Sequence, residues 1–297
     1  MKRIFIYLVL WVNISLAGSL SFNFENDVFF DNDLGYTNGA KISIETVPEN
    51  TNIISEYLLP YSPKENSHAV YQFMYTPDDI SISENQPNDR QWAGVLGYEF
   101  ITSTTNPSKR KYYATGFQLG VTGKYSYAEE TQTYVHKLTE SQTPMGWDNQ
   151  LPTIPAVNVF YIFKYKHLDN KYNDLVWSSA TSLGVNTRTT VGGSYRFGYN
   201  VPNDFILISE PVPHAIENNF RLYSFIGADV SMVIYNYFLD AKESTVDKEY
   251  FIAEAYLGLA LELKYIELKF KAISKTKEYQ QEDATRPYGV ITLTINF

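Results

Sequence analysis

The stretch Phe251-Ile252-Ala253-Glu254-Ala255-Tyr256-Leu257-Gly258-Leu259-Ala260-Leu261-Glu262-Leu263 decides the fold. Phe251, Ala253, Ala255, Leu257, Leu259, Leu261 and Leu263 fall on one side of it. Glu254, Tyr256, Gly258, Ala260 and Glu262 fall on the other. A period of two belongs to a β-strand, whose successive side chains point to opposite faces. The stretch is longer than the roughly ten residues that a tilted strand needs to cross a bilayer. The next segment repeats the pattern, with Ile266, Leu268 and Phe270 opposing Glu267, Lys269 and Lys271. Leucines on one face and charges on the other suit a barrel wall with lipid outside and a polar lumen inside. A soluble ligand-carrying barrel would put its apolar face inward, which the long polar set argues against.

Both ends of the chain extend this reading. Ile291, Leu293, Ile295 and Phe297 alternate with Thr292, Thr294 and Asn296, and the closing aromatic resembles the terminal strand of bacterial outer-membrane barrels. At the start, Lys2 and Arg3 precede an apolar run from Ile4 to Val12, and Ser15-Leu16-Ala17 places small residues at a secretory cleavage point. Residues 1–17 therefore read as a signal peptide, too short to span a membrane comfortably. Residues 18–297 read as the barrel. Twelve strands are expected, near 19–25, 36–46, 69–76, 91–103, 109–123, 155–167, 173–186, 188–199, 220–237, 250–263, 265–275 and 286–297. The predicted fold class is thus all-β, a twelve-stranded antiparallel transmembrane β-barrel, with a short helix near Ala128 to Leu138 in an extracellular loop. An even count leaves both termini in the periplasm. Two periplasmic connections, 47–68 and 200–219, are longer than such barrels need, and a short helix at Ile53 to Leu59 accounts for part of the first. No domain boundary, repeat or low-complexity tract interrupts the chain.

Composition agrees. Aromatic residues make up 16% of the chain and 25 residues are Tyr, more than a soluble core requires but suited to the two interfacial girdles of a membrane barrel. The absence of cysteine excludes a disulfide scaffold and a thiol nucleophile. A formal charge of −9 argues against nucleic acid as a partner. An anionic lipid substrate would then be met by local basic groups or bound cations.

Candidate chemistry gathers at the outward ends of the strands. Of His68, His136, His167 and His214, only His136 lies in the long outward loop, and Gln132 precedes it by one helical turn on the same face. Asn26 and Asp27 sit where the first strand ends, and Thr37 opens the second. By parity Asp27 continues the Glu25 face and Thr37 the face of Lys41, Ser43 and Glu45, both toward the lumen. Ester hydrolysis needs a base and an oxyanion site, and His136 has the side chain suited to base work. Asn26 and Asp27 offer oxygen donors of the kind calcium prefers. Plainer readings stand beside these: His136 as a surface residue, Asn26-Asp27 as a turn, and Asp31-Asn32-Asp33 as an ordinary acidic loop. Ser126 and Thr37 lack the context of a nucleophile elbow.

At these same residues the chain resembles the lipid A 3′-O-deacylase family of outer-membrane enzymes. The resemblance runs through Glu25-Asn26-Asp27, Tyr36-Thr37-Asn38-Gly39, Tyr75-Thr76-Pro77 and Asn88-Asp89-Arg90-Gln91-Trp92-Ala93-Gly94. It continues through Gln132, His136 and Gly146-Trp147-Asp148-Asn149-Gln150-Leu151, then Tyr237-Phe238-Leu239-Asp240 and Thr276-Lys277-Glu278-Tyr279. It covers essentially the whole mature chain and rests on the order and spacing of these motifs together. It implies calcium-dependent hydrolysis of the 3′-linked acyloxyacyl group of lipid A within lipopolysaccharide. Outer-membrane lipid would surround a monomeric barrel. His136 matches the family's catalytic histidine. Asn26, Asp27 and Thr37 match other essential positions, Asn26 and Asp27 also as candidate calcium ligands, and Gln132 matches a glutamine on the catalytic helix. One departure is clear. Some members carry an essential lysine in the second outward loop, where this chain reads Asp78-Asp79-Ile80-Ser81-Ile82-Ser83; Arg90 and Lys124 are the candidate substitutes.

Two other functions fit a twelve-stranded barrel. A phospholipase of the outer membrane would require a serine beside a histidine, for which no convincing pair is found. A pore or adhesin would use the barrel without chemistry, its inward Glu254, Glu262, Lys269 and Lys271 simply pairing.

Overall fold

A computed structural model describes residues 18–27, 36–47, 53–61, 65–205, 220–282 and 286–297. The expected signal peptide, the Asp31-Asn32-Asp33 loop and His214 lie outside them. Twelve antiparallel strands close into one barrel. They are β1 (Gly18–Asn26), β2 (Tyr36–Thr46), β3 (Glu65–Tyr75), β4 (Ala93–Asn106), β5 (Lys111–Thr122) and β6 (Pro155–Asp169), then β7 (Asn173–Gly184), β8 (Asn186–Tyr199), β9 (Arg221–Asn236), β10 (Phe251–Glu262), β11 (Ile266–Lys275) and β12 (Arg286–Asn296). β1 closes the barrel against β12, with Phe22 opposite Leu293. Gly18 and Phe297 exchange backbone hydrogen bonds of 3.0 Å at the seam.

The two faces divide as the alternation requires. Leu257, Leu259, Leu268 and Phe270 are exposed on the outer wall, while Glu262, Glu267 and Lys269 are buried inside. Several inward charges are paired, since an isolated ion in a low-dielectric interior is costly. Arg221 donates to Glu262 at 2.8 Å, Tyr223 Oη donates to the same carboxylate at 2.9 Å, and Lys269 pairs with Glu267. Lys41 pairs with Glu99 at 3.4 Å.

The two long periplasmic connections have different explanations. In the first, β3 begins at Glu65, earlier than expected, and α1 (Ile53–Leu58) occupies the middle. In the second, the segment from Val201 to Phe205 turns into the barrel instead of spanning outside it. Phe205 is buried with Tyr112, Ala114 and Val176, and Arg196 holds Asp204. At the outward end α3 (Tyr237–Asp240) folds over the mouth. Tyr237 and Phe238 pack there with Tyr71, Val95 and Leu151, and Tyr237 Oη donates to the Pro152 carbonyl at 3.0 Å. Beneath Phe238 lies a polar chamber of ≈ 400 Å³, with Glu25, Lys41, Arg188, Glu254 and Lys275 in its lining.

Candidate active site at the outward rim

The chain enters and leaves each strand pair so that the end of β1, the start of β2, the end of β3 and the start of β4 share the outward rim. Asn26 is the last residue of β1, paired in register with Asn38 of β2 and Gly289 of β12. Asp27 follows directly and is buried. Thr37 lies in β2 at the point where the β2–β3 register slips, between the pairs Tyr36–Tyr75 and Asn38–Met74. A bulge re-aims a strand locally, so the simple alternation used to place Thr37 is interrupted at that residue.

Gln132 and His136 belong to α2 (Ala128–Thr139), in the loop that joins β5 to β6. The helix is seated by close approach. A Cβ at Gly94, the second residue of β4, would stand 2.3 Å from Ser126 Oγ and 2.4 Å from Ala128 Cβ. Only glycine lets the helix start rest on the strand. Under the helix, Met74, Ile80, Trp92, Ala128 and Trp147 form one buried cluster, with the two indoles 5.0 Å apart. A Cβ at Gly146 would stand 2.4 Å from Trp92 Nε1, so Gly146 gives Trp147 its place. The motifs Ala93-Gly94 and Gly146-Trp147 thus build the platform for α2.

The platform also sets the chemistry. Trp147 Nε1 donates to Gln132 Oε1 at 2.7 Å. An indole N–H can only donate, so it fixes which end of the amide is oxygen. Gln132 Nε2 is then a buried donor, with no hydrogen-bond partner among the described residues. One turn further on, His136 is half-buried, with Nδ1 2.5 Å from the Gln142 carbonyl. A carbonyl only accepts, so the neutral ring carries its proton on Nδ1 and leaves the Nε2 lone pair for base work. Helix α2 ends at once, with Glu140 in the left-handed region and Ser141 N bonded to the His136 carbonyl at 2.9 Å.

Other sequence expectations sort out differently. Arg90 is buried over the Tyr75 ring, 4.3 Å from its centroid, and pairs with Glu278 at 3.2 Å. It is committed to a clasp between two outward loops, which leaves Lys124, exposed just before α2, of the two candidate substitutes. In the loop that departs from the family pattern, Asp79 caps Ser81 and Ile80 is buried under α2. No described serine hydroxyl bonds a histidine ring. His68 Nδ1 meets Tyr98 Oη at 2.6 Å on the outer wall, on the face of β3 that also carries Val70.

The clasp carries its own pH signature. Tyr279 Oη donates to Asp89 at 2.6 Å, beside the Arg90–Glu278 and Lys275–Glu278 pairs. Burial alone would raise the Glu278 carboxyl, but Lys275 and Arg90 more than offset it and hold the pKa at about 2. Its ordinary value is 4.5. A depressed folded value means stability that is present above pH 4.5 and lost as pH falls toward 2, worth roughly 3 kcal/mol by linkage. Thermal unfolding of wild type and Glu278→Gln across this range should show a gap at neutral pH that closes in acid. A gap independent of pH would refute the assignment.

Residues 4–297 match the family described as outer membrane protein LpxR. Among solved structures, LpxR from Salmonella typhimurium superposes with a TM-score of 0.75 at 17% identity, covering 94% of this chain and 100% of the other. The β-domain of the Bordetella autotransporter BrkA follows at 0.48 and 10% identity, covering 95% and 100%. The KdgM porin lies at 0.43 and 8%, covering 94% and 99%. A search of curated protein sequences gave no match. With nearly the whole chain matched and the same twelve-strand closure, the protein belongs to the outer membrane protein LpxR family and is an integral β-barrel of the outer membrane.

Proposed function

We propose that the protein is a calcium-dependent hydrolase that removes the 3′-linked acyloxyacyl group from lipid A of lipopolysaccharide. The observation that carries this reading is α2: a histidine with one ring nitrogen held by a carbonyl, one turn from a buried amide donor held by a tryptophan. That is a base and an oxyanion donor on one rigid element, beside the rim where Asn26, Asp27 and Thr37 end and begin their strands. His136 Nε2 takes a proton from water as the water oxygen bonds to the acyl carbon. Gln132 Nε2 donates to the carbonyl oxygen as it becomes negative. The ester C–O bond to the sugar then breaks, and the imidazolium returns its proton to the leaving sugar oxygen.

Asp27 is assigned to the cation, because the Gln142 carbonyl already orients His136. Its buried carboxylate and the Asn26 amide are oxygen donors, the type calcium takes. Two side chains leave coordination positions for substrate, as a catalytic rather than a structural ion requires. When bound there, calcium would polarise the ester carbonyl and share its developing charge. Against the pore reading stand Phe205, packed into the lumen, and α3, packed over the mouth.

The test is mass spectrometry of lipid A from cells expressing the protein, with calcium and with a chelator. We expect the 3′ acyloxyacyl mass to be lost only with calcium. Unchanged lipid A in the presence of a folded barrel would end the deacylase reading and turn the search to phospholipids. Loss in both conditions would remove calcium alone.

A further inference from the structure

Helix α2 has a flank that the reaction does not use. At 100° per residue, the buried edge of Ala128 and Gln132 has Glu129 and His136 on one side. On the other side lie Tyr134, Val135 and Leu138, and Tyr127 extends this row from the helix cap. These four are 64%, 43%, 66% and 55% exposed. Such a row is costly in water: fully hiding a side chain of the size of leucine is worth roughly 1.5–3 kcal/mol. Contiguous exposed apolar rows mark a partner.

The place of α2 identifies the partner. It packs on β3 and β4 and is tethered to β5 and β6. The outer wall of these strands, with Val70, Leu119, Val157 and Val159 exposed, is bilayer-facing. The loop leaves β5 three residues after Leu119, and the exposed Tyr125 begins the apolar row there. The row continues the lipid-facing wall past the strand ends, with tyrosines first, at the depth where aromatic side chains favour the headgroup boundary.

We propose that the Tyr127–Tyr134–Val135–Leu138 flank of α2 is a membrane-contact surface that lies in the boundary between headgroups and acyl chains of the outer leaflet, as amphipathic interfacial helices do. It holds the helix at the depth of ester-linked chains. The contact itself stands independently of the deacylation proposed above, and only the use of that depth rests on it.

The chain has no cysteine, so single-cysteine labelling tests this directly. Leu138→Cys and Thr133→Cys, the latter exposed on the opposite flank, would each carry an NBD fluorophore. The folded barrels are placed in phosphatidylcholine vesicles containing lipid with a nitroxide high on the acyl chain. The 138 label should emit to the blue of the 133 label and be quenched several-fold more. Equal, water-like emission and quenching at both positions would overturn the proposal. Because the readout needs no turnover, it separates this surface from the catalytic assignment.

Discussion

His136→Ala is expected to lower deacylation by roughly 10²–10⁴-fold, the usual contribution of a positioned general base, while leaving the barrel folded. The side chain is half-buried at the helix end, and its one ring hydrogen bond goes to a loop carbonyl that water can satisfy instead. Its removal therefore empties no packed core. His68→Ala is the matched control. That ring is bonded to Tyr98 and packs beside Phe100 on the outer wall of β3 and β4, so its loss should touch stability and leave activity near wild type. The measurement is the rate of acyl loss from lipid A in detergent, beside the heat-dependent gel shift that reports a folded barrel. Equal rates for wild type and a folded His136→Ala would remove the base from the proposed site.

The strands were legible because an outward leucine and an inward charge leave a two-residue period in the chain. The ends were less so. Glu65-Asn66-Ser67-His68 opens β3 with polar residues on both faces, so alternation could not reveal it. The turn of Val201 to Phe205 into the lumen was hidden for another reason. Its two buried apolar residues show no period, and the Arg196 that receives the segment looks in sequence like any inward charge. At the site, Asn26, Asp27, Gln132 and His136 could be placed at one rim from strand order alone. The bond from Trp147 to Gln132 could not. It joins residues fifteen apart through a glycine-seated indole pair, and only the motif Gly146-Trp147 hinted that something close-packed stood there. Arg90, a candidate phosphate contact by charge and position, is instead buried in a clasp, because Tyr75 of the neighbouring β3 and Glu278 of the loop after β11 close on it.

Arg196→Ala should be the most destabilising single change in the lumen. The guanidinium is wholly buried and donates to both Asp174 oxygens at 2.9 and 2.5 Å, to Asp204 Oδ1 at 2.5 Å, and to the Pro202 and Asp204 carbonyls at 3.0 and 2.8 Å. Lys166 adds a second cation 3.2 Å from Asp174 and donates to Asn203 at 3.1 Å. Truncating the arginine takes the guanidinium from both buried carboxylates and leaves Asp174 to Lys166 alone, a loss of about 3–5 kcal/mol. Arg196→Lys should recover little, since an ammonium cannot span Asp174 and Asp204 with one planar fork. The double variant Arg196→Ala/Asp174→Ala should lose less than the two single variants together, because each single change removes the same two hydrogen bonds between them. Urea unfolding in lipid vesicles measures this; a single-variant loss below about 1 kcal/mol would contradict the buried-charge argument. Planar-bilayer recording reads the same contact differently. With the Val201–Phe205 segment tied into the lumen by Arg196, the wild type should carry less current than Arg196→Ala, in which that segment is untied. Ion pairs across the lumen stiffen the wall, and a stiff wall is what a rim site built on the tips of β1 to β4 needs.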